Sequence, residues 1–110
     1  MAVTFGMKSF SLTTSAATLL TVPSGKVYII LGMQVSNIDG TNAADVSLST
    51  VDSNNSDKEA YLCKTVSVPA DAAFVPIEGK LVLCAGDSLK GLASADGDLE
   101  VTVSWMEKDV

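Results

Sequence analysis

A chain of 110 residues falls near the commonest size of a single domain and buries roughly two thirds of the surface its unfolded form exposes, enough for one hydrophobic core. Thirteen acids against seven lysines give a formal net charge of −6, and neither arginine nor histidine occurs, so phosphate-backbone binding and guanidinium base readout are excluded as expectations. The hydrophobic fraction of 47% is broken by charge throughout, and no apolar run approaches the roughly 20 residues of a membrane-spanning helix; neither nucleic acid nor membrane is an expected partner.

The first residues, Met1 to Lys8, lack the basic stretch, apolar core and cleavage site of a secretory signal. Phe5 and Met7 precede the first clear strand, and an apolar tail is costly to leave in water, so residues 1–7 are expected to act as a docking arm with Phe5 and Met7 against a neighbour. Lys8–Thr13 and Ala17–Val22 then read as short strands. Pro23-Ser24-Gly25-Lys26 is a turn in which proline presets φ and glycine supplies a positive one. It opens the run Val27 to Val35, whose alternation predicts a central strand with Val27, Ile29, Leu31, Met33 and Val35 on one face and Tyr28, Ile30 and Gln34 on the other. That strand leaves through Asn37-Ile38-Asp39-Gly40.

Asp45–Val51 alternates Val46 and Leu48 with Ser47 and Ser49 and is expected to be half exposed, as is Tyr61–Val68. Phe74–Ile77 carries Pro76, which confines it to a sheet edge. Leu81–Cys84 and Ser88–Ala93 follow, separated by Ala85-Gly86-Asp87. After an Asp96-Gly97-Asp98 turn, the last strand sets Leu99, Val101, Val103 and Trp105 against Glu100, Thr102, Ser104 and Met106. About eight short strands with turns every 8 to 12 residues and no helix predict one all-β domain over residues 1–110, an antiparallel β-sandwich or jelly roll.

The chemistry of the chain is sparse. Without histidine, and without Ser-x-x-Lys or Gly-x-Ser-x-Gly spacing, nucleophilic catalysis has no base, and no enzymatic activity is expected. Ser24-Gly25-Lys26 lacks the leading glycine and the trailing Ser/Thr of a phosphate loop. Asp96 and Asp98 are explained by their turn. Cys63 and Cys84 lie in strand-like runs, and with no secretory signal they are expected to be free, buried thiols. Asp52-Ser53-Asn54-Asn55-Ser56-Asp57 offers hard oxygen donors, but Asp57 stands where a calcium loop needs glycine and Cys63 where it needs glutamate, so a solvated loop tip is favoured and no metal or cofactor is expected. The Asn54-Asn55-Ser56 glycosylation tripeptide is unusable without secretion.

Two long stretches do carry a likeness. Leu20-Thr21-Val22-Pro23-Ser24-Gly25-Lys26-Val27-Tyr28-Ile29-Ile30-Leu31-Gly32, continuing through Gly40, and Phe74 to Leu89 leading into Leu92 to Glu107, resemble small virion proteins of tailed bacteriophages, of the capsid decoration or cement type. The resemblance spans Leu12 to Glu107 and is a pattern of strands and turns, so it assigns no site residues. It implies a non-enzymatic virion structural protein, assembled in the host cytoplasm, whose partners are the major capsid protein or other virion proteins and further copies of itself, with a trimer as the first expectation. A neck or tail accessory protein is the alternative within that class. A carbohydrate-binding sandwich is the alternative outside it, and would need a sugar platform built from Trp105, Tyr28 or Tyr61. The small residues Ala16-Ala17, Ala43-Ala44, Ala70 and Ala72-Ala73 suit either close subunit approach or the tapering corners of the sandwich.

Overall fold

The computed structural model describes residues 2–110. Its strands are β1 (Val3–Ser11), β2 (Ala17–Thr21), β3 (Lys26–Asn37), β4 (Ala44–Asp52), β5 (Lys58–Val68), β6 (Ala73–Phe74), β7 (Leu81–Leu83), β8 (Ser88–Ala93) and β9 (Leu99–Asp109). They form two antiparallel sheets, the first ordered β1-β9-β3-β6 with β7 also on β3, the second ordered β2-β8-β4-β5. The pairings are nested: β1 with β9, β2 with β8, β3 with β6 and β7, and β4 with β5. The chain is thus one long hairpin rolled on itself, and the roll closes where β9 meets β3 and β8 meets β4. That is the jelly-roll arrangement of the β-sandwich predicted from strand spacing. Pro76 falls between β6 and β7 and divides that arm into two short edge pieces, because a residue without an N–H cannot continue the ladder.

Alternation places the core. Val46 and Leu48 of β4 and Leu89 and Ala93 of β8 face Ile30, Met33 and Val35 of β3 and Leu99, Val101 and Val103 of β9, all buried, and Leu12 and Val22 close the ends. Each such side chain contributes about 1.5–3 kcal/mol on burial. Gly91 belongs to this layer: a Cβ there would stand 2.9 Å from Leu48 Cδ2 and 3.2 Å from both Leu12 Cδ2 and Leu19 Cδ1, so glycine leaves room for these neighbouring leucines to pack over β8.

Two expectations are corrected. The register of β3 against β9 shifts between Ile30 and Gly32, a β-bulge that inserts Leu31 opposite the step from Trp105 to Ser104. Before the bulge Tyr28 and Ile30 point inward; after it Met33, Val35 and Asn37 do. The single face expected from Val27 to Val35 is therefore two half-faces. At the N-terminus, residues 3–7 are not an arm outside the sheet. They form the first half of β1, in unbroken register with β9 from Val3 opposite Lys108 to Ser11 opposite Glu100.

Each end of the sandwich is fastened by one buried polar side chain. At one end Asp87 Oδ1 accepts from the Ser53 N–H and hydroxyl, each at 2.9 Å, and Oδ2 accepts from the Cys84 N–H at 2.9 Å. The Asp87 carbonyl also accepts from the Val22 N–H, so three loops meet there. At the other end the Asn37 side chain donates to the carbonyls of Asn42 and Val68, both at 3.0 Å, and accepts from the Asp39 N–H. Asp39 in turn accepts the N–H groups of Thr41 and Asn42, and these bonds hold its carboxyl below the usual carboxylate range.

Candidate interaction face

The two sheets present unlike outer surfaces. On the second sheet the outward positions pair Ser47, Ser49 and Val51 of β4 with Leu92, Lys90 and Ser88 of β8, and, against the half-exposed expectation for Asp45–Val51, Ser47 and Ser49 are buried, Ser49 Oγ donating to Glu59 at 2.6 Å. On the first sheet the cross-strand pairs line up differently. Phe5 lies opposite Met106, Met106 opposite Ile29, and Ile29 opposite Val82. Side chains directly opposite across antiparallel strands point to the same face, so these four make an apolar row across β1, β9, β3 and β7. Its outward sense is set by Trp105 and Ile30, the next residues along, which face the core. Flanking the row on one side are Val3, Lys108 and Val27, and on the other Met7, Ser104 and Gly32.

Exposure along this face is large: Phe5 is 73%, Met7 65%, Val82 56%, Val3 48% and the bulge residue Leu31 41% exposed. Beyond Gly32 the surface dips into a shallow groove lined by Gly32, Gln34, Val75, Thr102 and Ser104. Of the residues singled out from the sequence, Phe5 and Met7 are both on this face, brought to the edge of a much wider patch. Met106 stands where the sequence set it, on the face opposite Trp105, whereas Ile29, Leu31 and Val82 were not anticipated as surface residues. The usable signal was that β3 and β9 are apolar at both alternating sets of positions near these residues, more than a one-sided core requires.

Beneath this surface Trp105 stacks on Tyr28, centroids 5.1 Å apart and planes 11° off parallel. The edge of the indole lies over Gly6, where a Cβ would be 2.8 Å away. Burial, and after it the neighbouring Glu107, pushes the Tyr28 phenol above its ordinary value. At the open end of the same strands Lys26 pairs with Asp109 and, at 3.6 Å, with Glu107; its pKa is raised by the Asp109 hydrogen bond against some desolvation, while the Asp109 carboxyl is lowered. Two of the three rings that a sugar platform would need are thus turned onto each other, and the third, Tyr61, stands half exposed with Lys64 over its face at 5.1 Å.

The remaining chemistry sits away from this face. Asp52 to Asp57 is the tip of the β4–β5 hairpin, with Asp52 Oδ1 accepting from the Asn54 N–H and with Ser56 and Asp57 in left-handed conformation. No group of three metal-ligating side chains converges among the described residues. Both cysteines are unpaired, but the expectation that both are buried fails: Cys84 lies just past β7 in an exposed turn, and only Cys63 is partly covered, burial pushing its thiol up. In the native protein a thiol reagent should therefore modify Cys84 rapidly and Cys63 at least about tenfold more slowly, both reacting fully in denaturant without reductant. Equal native rates, followed by mass spectrometry, would contradict the geometry.

No protein-family model matches this chain, and no curated protein matches it. Solved structures do. A subunit of Bacillus endospore appendages, described as a novel family of disulfide-linked pili, is 11% identical, with 99% of this chain and 88% of that one covered and a TM-score of 0.60. The acid-stable capsid of the Helicobacter pylori bacteriophage KHP30 contains a chain 8% identical, with 97% of this chain and 87% of that one covered and a TM-score of 0.53. At such identities these likenesses establish the shared two-sheet β fold.

Proposed function

We propose that the protein is a structural subunit of a phage virion, a capsid decoration or cement protein that adds buried contact between the units of the head. The observation that carries the reading is the first sheet's outer face, an apolar surface wide enough to require a cover, on a jelly roll. Its fold likeness to a phage capsid chain and the resemblance in strand and turn pattern point the same way. In this role the protein binds as a homo-oligomer to major capsid protein, works by added interface, and needs no cofactor. A station on the neck or tail differs only in copy number.

The test mixes the protein with particles that lack it, sediments them, and counts bound copies and survival on heating. Saturation at copy numbers that scale with the shell lattice, with raised heat resistance, is the expected result. Saturation at a single ring of copies moves the protein to the neck or tail, and absence of binding sinks the virion reading. A second reading, a surface-filament subunit, is favoured by the likeness to disulfide-linked pili together with the exposed, unpaired Cys84. Filaments that form from the purified protein under oxidant and disperse with reductant, seen by electron microscopy, would support it.

A further inference from the structure

We infer that the outer face of the first sheet is a self-association surface, and that it is covered by the same face of a second copy, the two sheets packing about a two-fold axis that runs along the Phe5–Met106–Ile29–Val82 row. This deepens the assembly reading by naming the surface that is covered and what covers it, and it can hold or fail independently of particle binding.

The face maps onto itself. A two-fold axis lying along the row keeps β1 over β1, β9 over β9 and β3 over β3, and exchanges the two flanking rows. Val3 then meets Met7 of the second copy, and Val27 meets its Leu31–Gly32 bulge. Lys108, the charged residue of these three rows, meets Ser104, whose hydroxyl oxygen accepts from an ammonium, and the two lysines fall on opposite sides of the axis. Apolar thus meets apolar on each outer strand and the one charge finds an acceptor, with no like charges opposed. The strands of the two sheets run nearly aligned, the ordinary geometry of stacked sheets about 10 Å apart.

The area is also right for a pair. The exposed fractions of Val3, Phe5, Met7, Leu31 and Val82 leave on the order of 600 Å² of side chain uncovered, against roughly 800 Å² per partner in a standard interface, of which about two thirds is apolar in homodimers. On the second sheet's strands Tyr61 is the one exposed large hydrophobic among the described residues, so that sheet has no comparable surface.

The rival arrangement is edge pairing. β1 presents an unpaired edge of nine residues with one lysine and no proline, and a second β1 would extend the sheet. The two arrangements separate at Val82, on β7, which lies three strands from that edge. Sedimentation equilibrium on the parent protein, Phe5→Glu, Val82→Glu and the second-sheet control Tyr61→Glu decides between them. The parent is expected to dimerise, Phe5→Glu and Val82→Glu each to weaken the dimer on the order of 100-fold or more because every substitution enters the interface twice, and Tyr61→Glu to leave it unchanged. Phe5→Ser repeats the first test should the glutamate variant melt early. A parent that stays monomeric at high concentration, or a dimer indifferent to Val82→Glu, overturns the proposal, the latter in favour of edge pairing if Phe5→Glu still disrupts. A dimer that never binds particles refutes the virion reading and leaves this one standing; particle binding by a strict monomer does the reverse.

Discussion

Trp105→Ala should lower the unfolding free energy by about 3 kcal/mol, the lower end of what removal of a large core aromatic costs, because the indole is only partly buried. The ring is held from three sides: stacked on Tyr28, paired across the strand with buried Ile30, and seated over the bare backbone of Gly6. Truncation removes the stacking and leaves a cavity that a rigid edge strand cannot collapse to fill. Urea unfolding followed by circular dichroism should show a lower midpoint at unchanged slope. Gly6→Ala is the companion variant: its methyl would enter the indole at 2.8 Å, so it should also destabilise and should shift the single tryptophan's emission. A Trp105→Ala protein within 0.5 kcal/mol of the parent, roughly the range of ordinary surface changes, would mean that the ring is not part of the core.

Asp87→Ala should cost about 2–4 kcal/mol, since it strips the acceptor from two N–H groups and a hydroxyl at once and unties three loops. Asp87→Asn should recover little, because its amide nitrogen would confront the Cys84 N–H, a donor against a donor. The same site sets an acid limit. Burial pushes the Asp87 carboxyl upward, but the hydrogen bonds from Ser53 and Cys84 outweigh it and hold the pKa below the ordinary carboxylate value. A carboxyl whose native pKa is depressed gives its full stabilisation above the unfolded value, near pH 4, and loses it as pH falls through the native value. Melting temperature should thus drop below about pH 4 more steeply in the parent than in Asp87→Asn. Parallel acid profiles for the two would show that the carboxylate is not the acid-sensitive fastening.

Much of this fold is legible in the sequence, and the failures have physical causes. Turn chemistry is explicit: Gly25 and Gly97 occupy the positive-φ positions that their turns demand, and the short strands between such turns suffice to predict a sandwich. The bulge at Leu31 is hard to see because Val27 to Leu31 is apolar on both alternating sets, and Gln34, outward although it shares the parity of inward Tyr28 and Ile30, is the lone residue whose phase marks the shift. β1 is missed before Lys8 for the opposite reason: its inward positions are Gly6 and Lys8 and its outward ones Phe5 and Met7, which inverts the usual pattern. Asn37 and Asp87 read as ordinary turn residues. Only the fold reveals that each sits at an end of the sandwich and bonds loops remote in sequence. The interaction face is legible in part, as Phe5 and Met7, because a cross-strand row needs the register and the register is not written locally.

The nested pairing also dictates timing. β9 follows every other strand in the chain yet sits between β1 and β3, and it is the only described strand with which β1 pairs. While the polypeptide is being made, β1 has nothing to lie against and β3 lacks one whole side, so the first sheet cannot close until the final strand has emerged. Such a chain should complete its first sheet only after β9 has been made, on the slow side for its size, as non-local β topologies do. Its apolar outer face therefore comes into existence in a single late step, together with the core, and a nascent or truncated subunit has no assembled surface with which to capture a neighbour prematurely.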